Sequence, residues 1–309
     1  MSAISAPPRA KFSDPALTAR GEPRATVALD GLRTLWFNTG TLCNITCAGC
    51  YIESSPRNDR LSYLTRAEAA SYLAEAAALH PELVEIGFTG GEPFMNPDMP
   101  GMMEDALAAG HRVLVLTNAM RPMQRFKPAL LALQQRFPGR LTIRVSLDHY
   151  RQREHEALRG VGSWQPAIDG VTWLGRHGFD VAIAGRTVWH EGDVGMRAGF
   201  EALFGQIGLS ADTALVLFPE MDEAAEVPEI TTACWGILHK SPRDVMCASA
   251  RMVVKRRGAA HPAVVACTLL PYDEAFELGG TLAEAGVSIA LNHPHCAKFC
   301  VLGGASCSG

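Results

Sequence analysis

No stretch of this sequence approaches the roughly 18 consecutive apolar residues that a membrane-spanning helix requires, so a bilayer is not an expected partner. Residues 1–25 lack the apolar central stretch and small-residue cleavage pattern of a secretory signal, and the expectation is a cytoplasmic protein. Positive charge is not in excess either. The formal net charge is −4, which argues against nucleic acid as a partner. The one compact basic run, Lys255-Arg256-Arg257, reads as a solvated turn. With 48% hydrophobic and 19% charged residues the composition is neither that of a disordered chain nor that of a fibrous one.

Cysteine is present in quantity, nine residues in 309. The cytosol keeps thiols reduced, so clustered cysteines in such a chain point to metal rather than to disulfides. Three of them, Cys43, Cys47 and Cys50, fall in TLCNITCAGCY. The other six all follow residue 230.

Residues 1–30, broken by Pro7, Pro8, Pro15, Gly21 and Pro23, read as an arm with little independent structure. From there short apolar runs alternate with helix-compatible stretches. Strands are expected at 33–38, 83–88, 111–117, 141–147, 179–185 and 213–218, with helices at 65–80, 122–137, 164–177 and 193–207. Such alternation is the signature of right-handed βαβ units around a parallel sheet. An open doubly wound sheet and a partial barrel both accommodate it. Beyond Phe218 the chain turns acidic and then cysteine-rich, which places a domain boundary near residues 219–230. The expected division is an arm (1–30), a core (31–220) and a small C-terminal domain (221–309) that a bound metal group would help to stabilise.

The C-x3-C-x2-C loop directly follows the first expected strand of the core. Three thiolates in eight residues can wrap one face of an iron-sulfur cubane and leave its fourth iron without a protein ligand. A structural zinc site would close its tetrahedron with a fourth Cys or His, absent from this loop; zinc with a distant ligand, or three incidental thiols, remain alternatives on spacing alone. One βα unit later comes GFTGGEPFMNP, where paired glycines permit close backbone approach to a ligand and Glu92 supplies an anion.

In order and spacing these two segments resemble the radical S-adenosylmethionine (radical SAM) superfamily. The resemblance implies a partial (β/α)6 TIM-type barrel of the α/β class, with a [4Fe-4S] cluster on Cys43, Cys47 and Cys50. The amino and carboxylate groups of S-adenosylmethionine would bind the open iron. Gly90, Gly91, Glu92 and Pro93 would receive the methionyl amino group, with Glu92 near that cation. LTNAM (116–120) looks like the family's third strand end. VSLDHYRQREHEALRGVGSW (145–164) resembles its fourth-strand segment, S-L-D followed by a His and an R-G pair; there Ser146 would contact the ribose, and Asp148 would face the cavity as the catalytic candidate. Arg186, at the end of the fifth expected strand, suits an anion such as the cofactor's carboxylate. A departure from the pattern is Gly49 before the last cysteine, where many members carry an aromatic residue; here Tyr51 follows that cysteine instead.

After the barrel, 247–270 reads as two short strands joined at Arg257-Gly258, which would bring Cys247 and Cys267 together. This segment resembles the Twitch and SPASM extensions of the family, which carry auxiliary [4Fe-4S] clusters. Cys247, Cys267, Cys296 and Cys300 are the expected ligands, with Cys307 as substitute and Cys234 left over; a structural zinc site is the competing account. His293 and His295 read as turn histidines. The implied activity is reductive cleavage of S-adenosylmethionine to a 5′-deoxyadenosyl radical that takes a hydrogen atom from a small molecule or peptide, with an electron donor of the flavodoxin or ferredoxin type. The short arm leaves no room for a peptide-recognition domain and tilts the expectation toward a small molecule or a short peptide. A non-catalytic iron-sulfur or zinc redox sensor on the same scaffold is the reading from another class.

Overall fold

A computed structural model describes residues 10–189, 191–219 and 226–303. In chain order its elements are β1 (Thr26–Val27), β2 (Thr34–Asn38), α1 (Arg66–Leu79), β3 (Glu85–Thr89), α2 (Met99–Ala108), β4 (Arg112–Thr117), α3 (Arg121–Gln124), α4 (Lys127–Arg136), β5 (Leu141–Ser146), α5 (Gln152–Arg159), α6 (Trp164–Arg176), β6 (Asp180–Arg186), α7 (Gly192–Ile207), β7 (Ala214–Phe218), α8 (Cys234–Ile237), β8 (Ala250–Val254), β9 (Ala263–Val265), β10 (Glu277–Gly279) and β11 (Ile289–Ala290). A wide helical turn, Cys296–Leu302, closes the described chain.

Strands β2 to β7 pair in chain order and all in parallel. Helical crossovers between them dictate this, because a parallel neighbour is reached only by returning along the outside of the sheet. Alternate side chains of each strand enter different cores. Leu35, Phe37, Val113 and Val115 pack under the crossover helices, whereas Trp36 and Leu114 face the other way and join the C-terminal segment. All carboxyl ends of β2–β7 therefore lie at one rim, where parallel barrels carry their chemistry.

The C-terminal segment continues the same sheet. β8 lies parallel beside β2, β9 turns back antiparallel on β8, and β10 pairs with β9. The arm is not free-standing from residue 10 onward. β1 pairs with β11, Ala25 donates to the Ile230 carbonyl, and the buried Arg24 guanidinium meets Glu229 at 2.6 Å. It fastens the C-terminal segment to the core.

Candidate active site

The loop after β2 carries Cys43, Cys47 and Cys50 and is fixed by backbone bonds. Cys43 N–H donates to the Ser55 carbonyl at 3.1 Å, and Ala48 N–H to the Leu158 carbonyl at 2.7 Å, tying the loop to α5. Its other side is sewn to the segment after β3: Gly91 N–H donates to Gly40 and Glu92 N–H to Leu42, at 2.8 and 3.1 Å. Gly90 has φ +137°, in the region that favours glycine.

These segments open onto a cleft of about 1070 Å³, its mouth included, at the carboxyl rim of the sheet. Cys43, Cys47, Cys50, Gly90, Gly91, Ser146, Asp148 and Arg186 all line it. Glu92 and Pro93 do not. Pro93 begins the short turn Pro93–Met95, and Glu92 lies behind the wall, only 2% exposed. Its Oε1 accepts from Phe94 N–H and Thr117 Oγ1 at 3.2 and 2.8 Å, and its Oε2 from Asn118 N–H at 2.9 Å. The carboxylate thus clamps the end of β4 to the glycine segment. Burial outweighs these bonds and pushes its pKa up to about 7.

Asp148 faces the cleft with both oxygens engaged. Arg159, at the end of α5, donates to them from Nε at 2.7 Å and from a terminal nitrogen at 3.1 Å. This two-pronged pair is the strong form of the interaction. Both Asp148 oxygens are thereby occupied as acceptors, and the guanidinium is held at the cleft wall. Sequence reasoning assigned Arg159 no role, although the R-G pair at 159–160 was its signal. Burial pushes the Cys43 thiol up to about 12 and raises that of Cys47; the Arg159 charge opposes the shift at Cys47. Arg186 lies over the Tyr51 ring, 5.0 Å from its centre, and donates to the Ala48 carbonyl at 3.3 Å. Gly49, beside that guanidinium, has φ +62°, in the region that favours glycine. Arg186 Nε is buried and unpartnered among the described residues, a donor that fits an anionic ligand.

A second, apolar cavity of about 380 Å³ lies in the C-terminal segment. Cys247, Cys267, Cys296 and Cys300 line it together, with His295. The β8–β9 hairpin brings the first two to one end, and the turn Cys296–Leu302 supplies the others. Burial pushes Cys247 up to about 11 and Cys296 up to about 12. Cys234 starts α8 outside this cavity, its sulfur accepting from Thr231 N–H at 3.4 Å. Cys307 lies outside the described residues. A third cleft joins the two regions, lined by Cys47, Cys50 and Tyr51 on one side and by Tyr272, His293 and His295 on the other. His293 and His295 do form a turn, His295 N–H donating to His293 Nδ1 at 3.1 Å. Phe299 bridges the regions, 6.3 Å from Tyr51 and 5.6 Å from Phe218 between ring centres.

Among the described residues no three His, Cys, Asp or Glu side chains converge as one metal ion demands. An iron-sulfur cubane asks something different, since each thiolate binds its own iron and the sulfurs stand further apart than around tetrahedral zinc. Thiols that are buried at Cys43 and Cys247 and half-buried at the other positions, spaced around the wall of each cavity, fit that group.

The Radical SAM superfamily model matches residues 37–194. Among curated proteins, the chain is 28% identical over 144 residues to the antilisterial bacteriocin subtilosin biosynthesis protein AlbA of Bacillus subtilis, covering 46% of this chain and 30% of AlbA. It is 28% identical over 137 residues to the mycofactocin maturase MftC of Mycobacterium tuberculosis, covering 44% and 33%. These matches thus span about a third of the relatives' own length. The structure of SuiB of Streptococcus suis bound to S-adenosylmethionine superposes with a TM-score of 0.59 at 12% identity, over 81% of this chain and 63% of SuiB. SuiB has also been solved with the precursor peptide SuiA. The shared fold is that of partial TIM-barrel enzymes, which decides between the two sheet architectures left open by the sequence.

Proposed function

The chain belongs to the radical SAM superfamily, and from that premise we propose that it cleaves S-adenosylmethionine reductively and uses the 5′-deoxyadenosyl radical to take a hydrogen atom from a peptide. The observation that carries this reading is the shared cleft: three cysteines of one loop, both glycines of the next, and the ends of β5 and β6 face one space. A peptide substrate is supported by AlbA, a bacteriocin biosynthesis protein, and by SuiB, solved with a precursor peptide.

When bound, a [4Fe-4S] cluster supplies the electron that breaks the C5′–S bond of S-adenosylmethionine. Cys43, Cys47 and Cys50 would hold it. Arg159, set by Asp148, puts positive charge beside Cys47 and favours the thiolate that ligation needs. For S-adenosylmethionine itself, Gly90 and Gly91 offer backbone groups without side-chain obstruction, Ser146 a hydroxyl, and Arg186 an unpaired donor for the carboxylate. Glu92 and Pro93 serve the glycine segment from behind. Leu116, Ala184, Phe218 and Leu269 add apolar surface to a wall that also carries Ser54, Thr89, Thr117, Asn118 and Thr268, and apolar surface helps to keep water from a reactive intermediate. Cys247, Cys267, Cys296 and Cys300 would hold an auxiliary [4Fe-4S] cluster, with Cys307 as the substitute ligand.

The same reading assigns residues 1–30 to an arm, 31–220 to the core and 221–309 to the auxiliary segment. It also assigns the chain to the cytoplasm, and the electron to a flavodoxin- or ferredoxin-type donor. No helix among the described residues is long and apolar enough to cross a membrane.

The test is anaerobic reconstitution with iron and sulfide, followed by dithionite and S-adenosylmethionine. 5′-Deoxyadenosine should form, and should vanish when Cys43, Cys47 and Cys50 are replaced by alanine. Its absence from the unaltered protein would leave the non-catalytic sensor in its place. Adding candidate peptides and following deuterium transfer into 5′-deoxyadenosine separates a peptide substrate from a small one.

A further inference from the structure

Arg251 is a buried charge without a carboxylate. It sits in β8 opposite Leu35 of β2 and is 1% exposed. Its guanidinium makes four hydrogen bonds, all to backbone carbonyls: Nε to Ala285 at 2.9 Å, one terminal nitrogen to Cys247 and Ala250 at 2.6 and 2.8 Å, and the other to Val287 at 3.1 Å. No acidic side chain pairs with it among the described residues. Carbonyl dipoles satisfy the donors but leave the full charge uncompensated, and an unpaired charge in a protein interior is strongly unfavourable. The ionisable side chain that does act on it is Cys247, in the wall of the C-terminal cysteine cavity.

We propose that Arg251 is the positioning residue and fixed countercharge of that cavity: it anchors the Cys247 end of β8 and makes the metal group bound there easier to reduce. This rests on the auxiliary-cluster reading above. A cluster on four thiolates carries net negative charge, and a cation held nearby favours taking up one more electron. The four carbonyls keep the guanidinium from swinging toward solvent. The charge therefore acts on the cluster in either redox state.

The experiment uses the full chain with Cys43, Cys47 and Cys50 changed to alanine, reconstituted with iron and sulfide, so that only the auxiliary site reports. Midpoints are read by redox titration followed by electron paramagnetic resonance. Arg251→Gln keeps amide donors and removes the charge; Arg251→Lys keeps the charge and removes the fork. The glutamine variant should be about tenfold harder to reduce, which for one electron is about 59 mV. The lysine variant should stay within about twofold of its parent.

An unchanged midpoint in the glutamine variant overturns the proposal while leaving the auxiliary cluster standing. If the glutamine variant does not fold, the lysine variant decides, and a tenfold shift there overturns the countercharge. A parent that retains no iron overturns the auxiliary reading itself, and this inference with it.

Discussion

A Cβ added to Gly91 would stand 2.2 Å from the Leu42 carbonyl oxygen. Neither partner is a flexible side chain, so the segment after β3 and the cysteine loop can keep their contact only without that carbon. The backbone bonds from Gly91 to Gly40 and from Glu92 to Leu42 fix the same contact. Gly91→Ala should therefore displace the cysteine loop and cost the first cluster. Reconstituted protein should lose about half its iron and form no 5′-deoxyadenosine, with the C-terminal share retained. Iron analysis that finds the full complement would count against the loop contact as the determinant.

The Asp148–Arg159 pair leads to a second expectation. Breaking a buried pair by neutralising one partner costs about 3–5 kcal/mol, because the remaining charge is left uncompensated. Asp148→Asn should lower the stability of the metal-free protein by that order in urea unfolding, and should weaken iron retention at Cys47. Arg159→Lys keeps the charge but cannot make the fork, and should fall between the two. If Asp148→Asn instead leaves stability and iron content untouched while abolishing turnover, Asp148 is a proton-transfer group after all.

The strands were legible because each is a short, nearly unbroken apolar run flanked by turn residues. Leu141–Ser146 and Ala214–Phe218 differ from their expected bounds by one residue at an end. The cysteine cavities were legible as spacings. What the sequence hid was reach. Arg159 is eleven residues from Asp148, and nothing local says that α5 turns its last residue back onto the strand end. The Glu92 side chain was expected on the ligand side because a carboxylate next to paired glycines suggests it, whereas its partners, Thr117 and Asn118, come from the next strand. The continuation of the sheet into β8 was equally invisible, since periodicity identifies a strand without naming its neighbour. Gly49 and Tyr51 stood out as a departure; Gly49 sits at φ +62°, where glycine is favoured, and Tyr51 carries the Arg186 guanidinium over its ring.

Cys234 and Cys296 should behave oppositely on replacement. Cys296 lines the C-terminal cavity beside Cys247, while Cys234 lies outside it with its sulfur accepting from Thr231. Cys296→Ala should remove the auxiliary share of iron, about half of the total, whereas Cys234→Ala should keep the full amount. Mössbauer spectra of iron-57 protein would show which of the two sites has emptied. Equal losses in both variants would place Cys234 among the ligands.

The Glu92 carboxyl gives the metal-free protein a pH dependence whose sign is fixed. Its pKa is about 7 in the folded chain, against an ordinary value near 4.5, so the folded state holds this proton more tightly than the unfolded one. The stabilisation is complete below about pH 4.5 and declines as pH rises toward 7. At about 1.4 kcal/mol per pKa unit the decline is on the order of 3 kcal/mol. Glu92→Gln cannot titrate, and it also turns an amide nitrogen toward a backbone or hydroxyl donor, a pH-independent cost of about 1–3 kcal/mol. Compared by urea unfolding, the variant should be clearly less stable than the parent at pH 5, and the gap should narrow by pH 7.5. The buried His155 and the half-buried His293, both held down to about 4, act in the opposite direction in the two proteins alike and cancel in the difference. A gap that stays constant across this range would mean that Glu92 is already ionised in the fold, and that the bonds from Thr117 and Asn118 outweigh its burial.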